Sequence, residues 1–220
     1  MAITRIIGSA VICAATVAAA QSPPSKEMTL DEFRHYFQVL HIKEADERGV
    51  RAQMKAQENQ LPPWWPAQMT DQMISTMLQV DSAALDYNYV KGCASSEDIQ
   101  VLTKMFATPA GQQYVDKITG GMVDQESKGV SAYDAREAAI DHDTGLPAGA
   151  LEKLTPVERS RIKVLVTKGT MDCMNSGYKK ASVDISDART KAVKALVAEH
   201  MADLAEAKTK YEATHPASSK

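Results

Sequence analysis

Apolar side chains recur every three or four residues along most of the chain, which is the spacing that gathers them on one face of an α-helix. The stretch after residue 29 has one such apolar stripe, formed by Phe33, Tyr36, Phe37 and Leu40. No window of the sequence has the strict alternation of apolar and polar residues that marks a half-buried strand. The pattern therefore predicts an all-α fold, an irregular antiparallel bundle of about six to eight helices.

Capping residues and prolines indicate where these helices begin and end. A Ser or Thr hydroxyl placed before a helix accepts a hydrogen bond from a backbone amide that the helix leaves free. Four such starts occur along the chain, at Thr29, Ser95, Thr108 and Thr155. The prolines of the segment 61–66 remove amide donors, so we expect the helix before them to stop near Gln60.

Two longer helices are expected from the apolar spacing. The first runs from about residue 66 to 90 and carries a stripe of methionines, Met69, Met73 and Met77. Core packing is the favoured role of this stripe, and an adaptable binding surface is the alternative. The second long helix runs from about residue 186 to 211, with its charged residues largely opposite its apolar face.

Residues 1–20 have the three parts of a secretory signal peptide. Arg5 is the positive charge, residues 6–17 are an apolar run without an acidic residue, and Ala18-Ala19-Ala20 offers a cleavage site. The apolar run is too short to span a bilayer. We therefore expect an exported protein, periplasmic or extracellular, that begins at Gln21 after cleavage. The alternative is a buried apolar segment at the start of the chain.

The rest of the chain divides into four parts by composition and helical pattern. Residues 21–28 are a polar leader, and residues 29–129 form a helical domain. Residues 130–213 are expected to be a C-terminal helical part that packs on this domain or extends it. Residues 214–220 are a frayed tail.

Charge and hydropathy exclude two classes of partner. The chain has 25 basic and 28 acidic side chains, a formal net charge of −3, without the basic stripe that nucleic-acid binding requires. Beyond the signal peptide, no apolar run approaches the roughly 20 residues of a membrane span. We expect no nucleic-acid partner and no membrane span after cleavage, and the identity of any protein or envelope partner stays unknown.

Two cysteines remain after the signal peptide and its Cys13 are removed, namely Cys93 and Cys173. An even number of cysteines in an exported protein predicts a disulfide, and two free buried thiols are the alternative. Their separation of eighty residues excludes a local C-x-x-C redox or zinc motif.

The sequence carries no catalytic signature, no nucleotide-binding glycine motif and no established metal motif. Asp141-His142-Asp143 is a dense cluster of metal-type ligands, but adjacent residues seldom point at one ion, so a solvated loop is favoured. We expect no catalytic residue, no metal and no cofactor.

Trp64 and Trp65 are the two tryptophans of the chain, and prolines bracket them on both sides. Two indoles on a stiff backbone would suit stacking on a sugar or gripping a peptide, so they are the candidate ligand contacts. Packing of both rings on the helical core is the alternative, and the sequence favours it.

Residues 95–114 read Ser-Ser-Glu-Asp-Ile-Gln-Val-Leu-Thr-Lys-Met-Phe-Ala-Thr-Pro-Ala-Gly-Gln-Gln-Tyr. This block resembles the signature of an exported bacterial helical family, domain of unknown function 2059. The matching positions are Glu97, Phe106, Thr108, Pro109, Gly111 and Gln112. The resemblance extends over residues 66–125 and implies a helical, secreted or periplasmic protein. It implies no reaction.

The same block has a physical interpretation as a corner between two helices. Phe106 is an apolar anchor at a helix end, Thr108-Pro109 turns the chain, and Gly111 allows the two helices to approach closely. The alternative is an anion site at the helix start, with Lys104 and Lys117 as the nearby cations.

Taken together, these patterns predict an exported, non-catalytic helical domain that binds a ligand or associates with the envelope. The competing hypothesis is a cell-envelope polymer hydrolase whose site is assembled from distant residues. Convergent polar groups with shifted pKa values beside the tryptophans would favour the hydrolase. An apolar groove without them would favour binding.

Overall fold

The computed structural model describes residues 26–128, 130, 149–167 and 169–216. Its helices are α1 (Leu30–Val39), α2 (Ile42–Gln57), α3 (Ala67–Leu78), α4 (Ser82–Val90), α5 (Ser96–Phe106), α6 (Pro109–Ser127), α7 (Pro156–Thr167), α8 (Thr170–Glu199) and α9 (Met201–Thr214), with a 3₁₀ turn at Glu58–Gln60. These residues contain no β-strand, so the prediction of an all-α, multi-helix fold is confirmed. Residues 1–20, which are the expected signal peptide, and residues 131–148, which include Asp141-His142-Asp143, lie outside the described ranges.

Three of the helices begin with the reciprocal cap that the sequence suggested. At α1, the Thr29 hydroxyl accepts from the Glu32 amide at 3.2 Å while the Glu32 carboxylate accepts from the Thr29 amide at 2.9 Å. Ser95 and Asp98 make the same pair of bonds before α5. Thr155 and Glu158 make them before α7. Each pair satisfies two amide groups that the first helical turn leaves free.

The single helix expected over residues 66–90 is wrong, because the chain breaks between α3 and α4. Asp81 leaves the helical conformation, and its carboxylate caps α4 by accepting from the Ala84 amide at 3.0 Å. The same carboxylate accepts from the Arg34 guanidinium at 2.6 Å, which fixes the break against α1. A short acidic side chain favours a cap over a helix interior, and this preference overrode the apolar spacing.

The final helix expected over residues 186–211 is wrong at its start and is not continuous. Gly169 has a left-handed backbone with φ of 72°, and α8 begins directly after it, well before residue 186. At the other end, His200 has a non-helical backbone that separates α8 from α9. Its ring nitrogen lies 2.9 Å from the Asp203 carboxylate.

The main core joins both halves of the chain. Phe33 of α1, Ile99 of α5 and Ile162 of α7 are fully buried in it, together with Met174 of α8. The C-terminal part is therefore an integral layer of the fold as far as α8. The end of the expected polar leader belongs to the fold too, since Met28 is buried in the same core.

Helix α8 crosses α4 at very short range. A Cβ atom added at Gly177 would lie 2.7 Å from Cγ1 of Val90 and 3.1 Å from the carbonyl oxygen of Tyr89. Near this crossing, Cys93 and Cys173 form a disulfide with their Cα atoms 5.6 Å apart, which confirms the predicted pairing. One glycine contact and one covalent bond thus fix the position of α8 against α4.

Replacing Gly177 with Ala should destabilise the fold by about 1–3 kcal/mol, because the added methyl group must push α8 away from α4. Gly120 in α6 is the matched control, since a Cβ there meets nothing within 4 Å. Gly120→Ala should stabilise the protein by roughly 0.5–1 kcal/mol through helix propensity alone. Urea unfolding of both variants measures the difference, and a Gly177→Ala protein as stable as the parent would contradict the close crossing.

Candidate functional site

The described residues line a cavity of about 590 Å³ between α2 and α8 that is partly open to solvent. The remaining wall residues come from helices α3, α4 and α6 and from Val130, which follows α6. A volume of this size falls within the usual range for small-molecule sites. It is the candidate site of the molecule.

One wall of the cavity is rich in methionine. Its thioether side chains are Met54 from α2, Met73 and Met77 from α3, and Met122 from α6. Met54 forms a small buried cluster with Val50 and Ile74, and the side chains of Met73 and Met77 pack against that cluster. Flexible, polarisable thioethers adapt their shape to an apolar ligand more readily than branched side chains do.

The methionine stripe identified in the sequence therefore has two roles. Met69 is buried, as expected for core packing. Met73 and Met77 are only partly buried and face the cavity. Helical spacing placed the three residues on one side of a helix but could not tell which of them would border open space.

The opposite wall, on α8, is more polar. Ser182, Ser186, Arg189 and Thr190 line the cavity from this helix. Their spacing of three, four and eight residues places them on one face. Ile185 and Val193 belong to the same wall. The cavity is thus lined by thioethers and by polar groups, which come from α8 and also from α2 and α4.

An ion pair crosses the cavity wall between α8 and α2. Arg189 donates to the carboxylate of Asp46, and the two side chains are only 13% and 21% exposed. The Nε–H group of Arg189 is shielded from solvent and has no acceptor among the described residues. Sequence reasoning missed this pair, because its partners lie 143 positions apart and neither carries a local motif.

The structure places Trp64 and Trp65 away from this site. Both rings are partly buried, and they contact each other with centroids 6.1 Å apart. Neither ring lines the large cavity or a shallower one of about 300 Å³ that is lined by α3 and by Leu196 of α8. The candidate ligand contact predicted for this loop therefore borders neither cavity.

The residues of the family-like block make contacts at the corner between α5 and α6. The Thr108 hydroxyl accepts from the Gly111 amide at 3.0 Å and so caps α6, which begins at Pro109. A Cβ added at Gly111 would lie 2.4 Å from the carbonyl oxygen of Met105, so only glycine fits there. Phe106 is partly buried beside the ring of Tyr114.

Two other residues of the block connect this corner to neighbouring helices. The Gln112 amide donates to the carbonyl oxygens of Phe106 at 2.8 Å and Val39 at 3.0 Å, which satisfies the ends of α5 and α1. Glu97 accepts from Arg161 of α7 at 2.5 Å. Every described contact of the block therefore holds helices together.

The carboxylates with lowered pKa values sit at helix starts. Hydrogen bonds from Ser96 and then from the Thr29 amide lower the pKa of Glu32 to about 2. Lys104 and then the Thr155 amide lower the pKa of Glu158 to about 2. Burial alone raises the pKa of Asp98, but the hydrogen bond from Arg161 and those from Ser95 outweigh it and hold the pKa below its usual value. These shifts follow from capping and ion pairing.

The described residues contain no group of three or more His, Cys, Asp or Glu side chains arranged to hold a metal ion. Within the same residues, no helix combines the length and apolar character that crossing a membrane requires.

Comparisons with protein-family models, with curated proteins and with solved structures gave no match. The resemblance of residues 95–114 to domain of unknown function 2059 therefore stays a prediction.

Replacing Ser96 with Ala should raise the pKa of Glu32 from about 2 toward its ordinary value of 4.5, because the Ser96 hydroxyl is its strongest hydrogen-bond donor. A lowered pKa stabilises the fold above about pH 4.5 and loses that contribution as the pH falls toward 2. The variant should consequently begin acid unfolding at a higher pH. Carboxyl NMR titration measures the pKa, and Ser160→Ala, whose exposed hydroxyl donates to the Pro156 carbonyl, is the control. An unchanged Glu32 pKa in the Ser96 variant would contradict this origin of the shift.

Proposed function

We propose that this chain is an exported, non-catalytic helical domain that holds a small apolar ligand in the cavity between α2 and α8. The observation that carries the proposal is the lining of that cavity. Four methionine side chains from three helices converge on a space of about 590 Å³. The volume of this space and its mixture of apolar and polar lining residues are those of a small-molecule pocket.

The polar groups of the site support binding over catalysis. The ion pair of Arg189 and Asp46 links two walls of the cavity and so serves to position helices. The carboxylates of Glu32, Asp98 and Glu158, whose pKa values are lowered, instead cap the starts of their own helices. A hydrolase that acts on envelope polymers would require a general acid and a general base whose side chains both reach the bond to be cleaved.

Two features of the chain support export. The first is the order of charge, apolar run and small residues at positions 1–20. The second is the bond between Cys93 and Cys173, which persists in an oxidising compartment. A ligand-binding domain outside the cytoplasm is the function that accommodates both features and the cavity.

Binding of a neutral fluorescent probe, N-phenyl-1-naphthylamine, tests the proposal. The purified protein should bind it saturably, with one probe molecule per chain. Met77→Trp should weaken this binding by roughly tenfold or more, because an indole added to the wall fills space that the probe needs. Met73→Trp is a second variant with the same expected effect, in case the first does not fold.

Met201→Trp is the matched control, since Met201 is 60% exposed and lies outside the cavity wall. It should leave probe binding unchanged. Thermal unfolding of each variant checks that the fold is intact. Failure of the parent protein to bind the probe, or equal binding by folded Met77→Trp and Met201→Trp proteins, would contradict the proposal.

A further inference from the structure

The exposed residues that line the cavity are all polar. They are Gln53 and Gln57 of α2 together with Ser186, Thr190 and Lys194 of α8. The apolar lining residues, which include the four methionines, are buried or partly buried. The cavity therefore has an apolar interior and a polar rim, formed by these five exposed residues. A ligand that fits both has an apolar body and a polar end that stays at the solvent.

The cavity is elongated along α8. The lining residues of this helix follow one face from Tyr178 to Lys194, which is about 24 Å of helix at about 1.5 Å per residue. Tyr178, at one end, is only 4% exposed, whereas Lys194, at the other end, is exposed. A volume of about 590 Å³ that follows such a length of helix suits an extended alkyl chain.

Lys194 is the one ionised residue among the five of the rim. Its ammonium group forms no ion pair and no hydrogen bond with any described residue. The other charged lining residues belong to the walls. Arg189 and Asp46 pair with each other, and Asp86 is 8% exposed and engaged in an interaction of its own. The rim therefore presents a positive charge that an anionic headgroup can pair with.

We propose that the cavity binds a single-chain anionic amphiphile, an alkyl chain that ends in a carboxylate. The chain lies along Met54, Met73 and Met77, and the carboxylate stays at the rim, where it pairs with the ammonium group of Lys194. The pairing requires no burial of charge, because a headgroup at the rim keeps its contact with water. This inference rests on the proposed function, because it adds a polar end to the apolar ligand of the same cavity.

Displacement of N-phenyl-1-naphthylamine at neutral pH tests the inference with three compounds that share one chain, namely decanoate, decylammonium and decanol. Decanoate should displace the probe at concentrations roughly fivefold or more below those of decylammonium, because Lys194 attracts one headgroup and repels the other. Decanol, which is uncharged, should fall between them. The formal net charge of the chain, −3, favours the cation, so the expected order requires a local positive charge. High salt should reduce the difference, since the pair is exposed.

Replacing Lys194 with Met removes the charge and keeps a long apolar stem. The affinity for decanoate should fall roughly threefold to fivefold and that for decanol should stay nearly unchanged, so that the two ions bind about equally. Lys194→Glu should reverse the order of the two ions. Lys191→Met is the matched control, because Lys191 is exposed on the same helix but lies outside the cavity lining. It changes the net charge by the same amount and should leave the order of the three compounds as in the parent.

The possible failures are distinguishable. Equal or tighter binding of decylammonium by the parent protein overturns the assignment of an anionic ligand, even where the probe enters the cavity as expected. A preference for decanoate that persists in a folded Lys194→Met protein overturns the role of Lys194, and so does an equal loss of preference in Lys191→Met. Lys194→Gln makes the same comparison if the Met variant does not fold. Loss of the probe's own dependence on Met77 contradicts the proposed function instead.

Discussion

The rest of the structure depends on how closely α8 approaches α4. Val90 and the backbone of Tyr89 occupy the space that a side chain at position 177 would need, so the two helices meet only because that residue is glycine. The disulfide between Cys93 and Cys173 fixes the same pair of elements one turn earlier along α8. Close contact and covalent bond together give a 30-residue helix a defined position over its first turns.

The cavity is a consequence of that position. Past the crossing with α4, the same face of α8 continues from Tyr178 to Lys194 opposite α2 and α3. The pair of Arg189 and Asp46 holds this later part of α8 to α2. Between these two attachments lies the cavity, and four methionines are among its lining residues. The position of the cavity is fixed because α8 is held at both attachments. Its shape is adaptable because methionine side chains are flexible.

Local chemistry could be predicted from the sequence where a few adjacent residues decide the outcome. Thr29 with Glu32 and Ser95 with Asp98 form the expected caps, and the even cysteine count gave the correct pair. Predictions that extended the apolar repeat of a helix over a long stretch of the chain were less reliable. Asp81 and His200 each interrupted a helix that was expected to be continuous, since capping and a non-helical backbone outweigh helical periodicity. The cavity itself was beyond prediction, because Asp46 and Arg189 meet only through the crossing of α8 with α4.

The most direct test of this account is the NMR spectrum of the methionine methyl groups, labelled with carbon-13, during titration with N-phenyl-1-naphthylamine. If the ligand lies in the cavity, the methyl signals of Met54, Met73, Met77 and Met122 shift together in a saturable way. The signals of Met28, buried in the main core, and of exposed Met201 stay where they are. Saturable shifts confined to Met201 or to the main core, with the four cavity signals unmoved, would contradict the account.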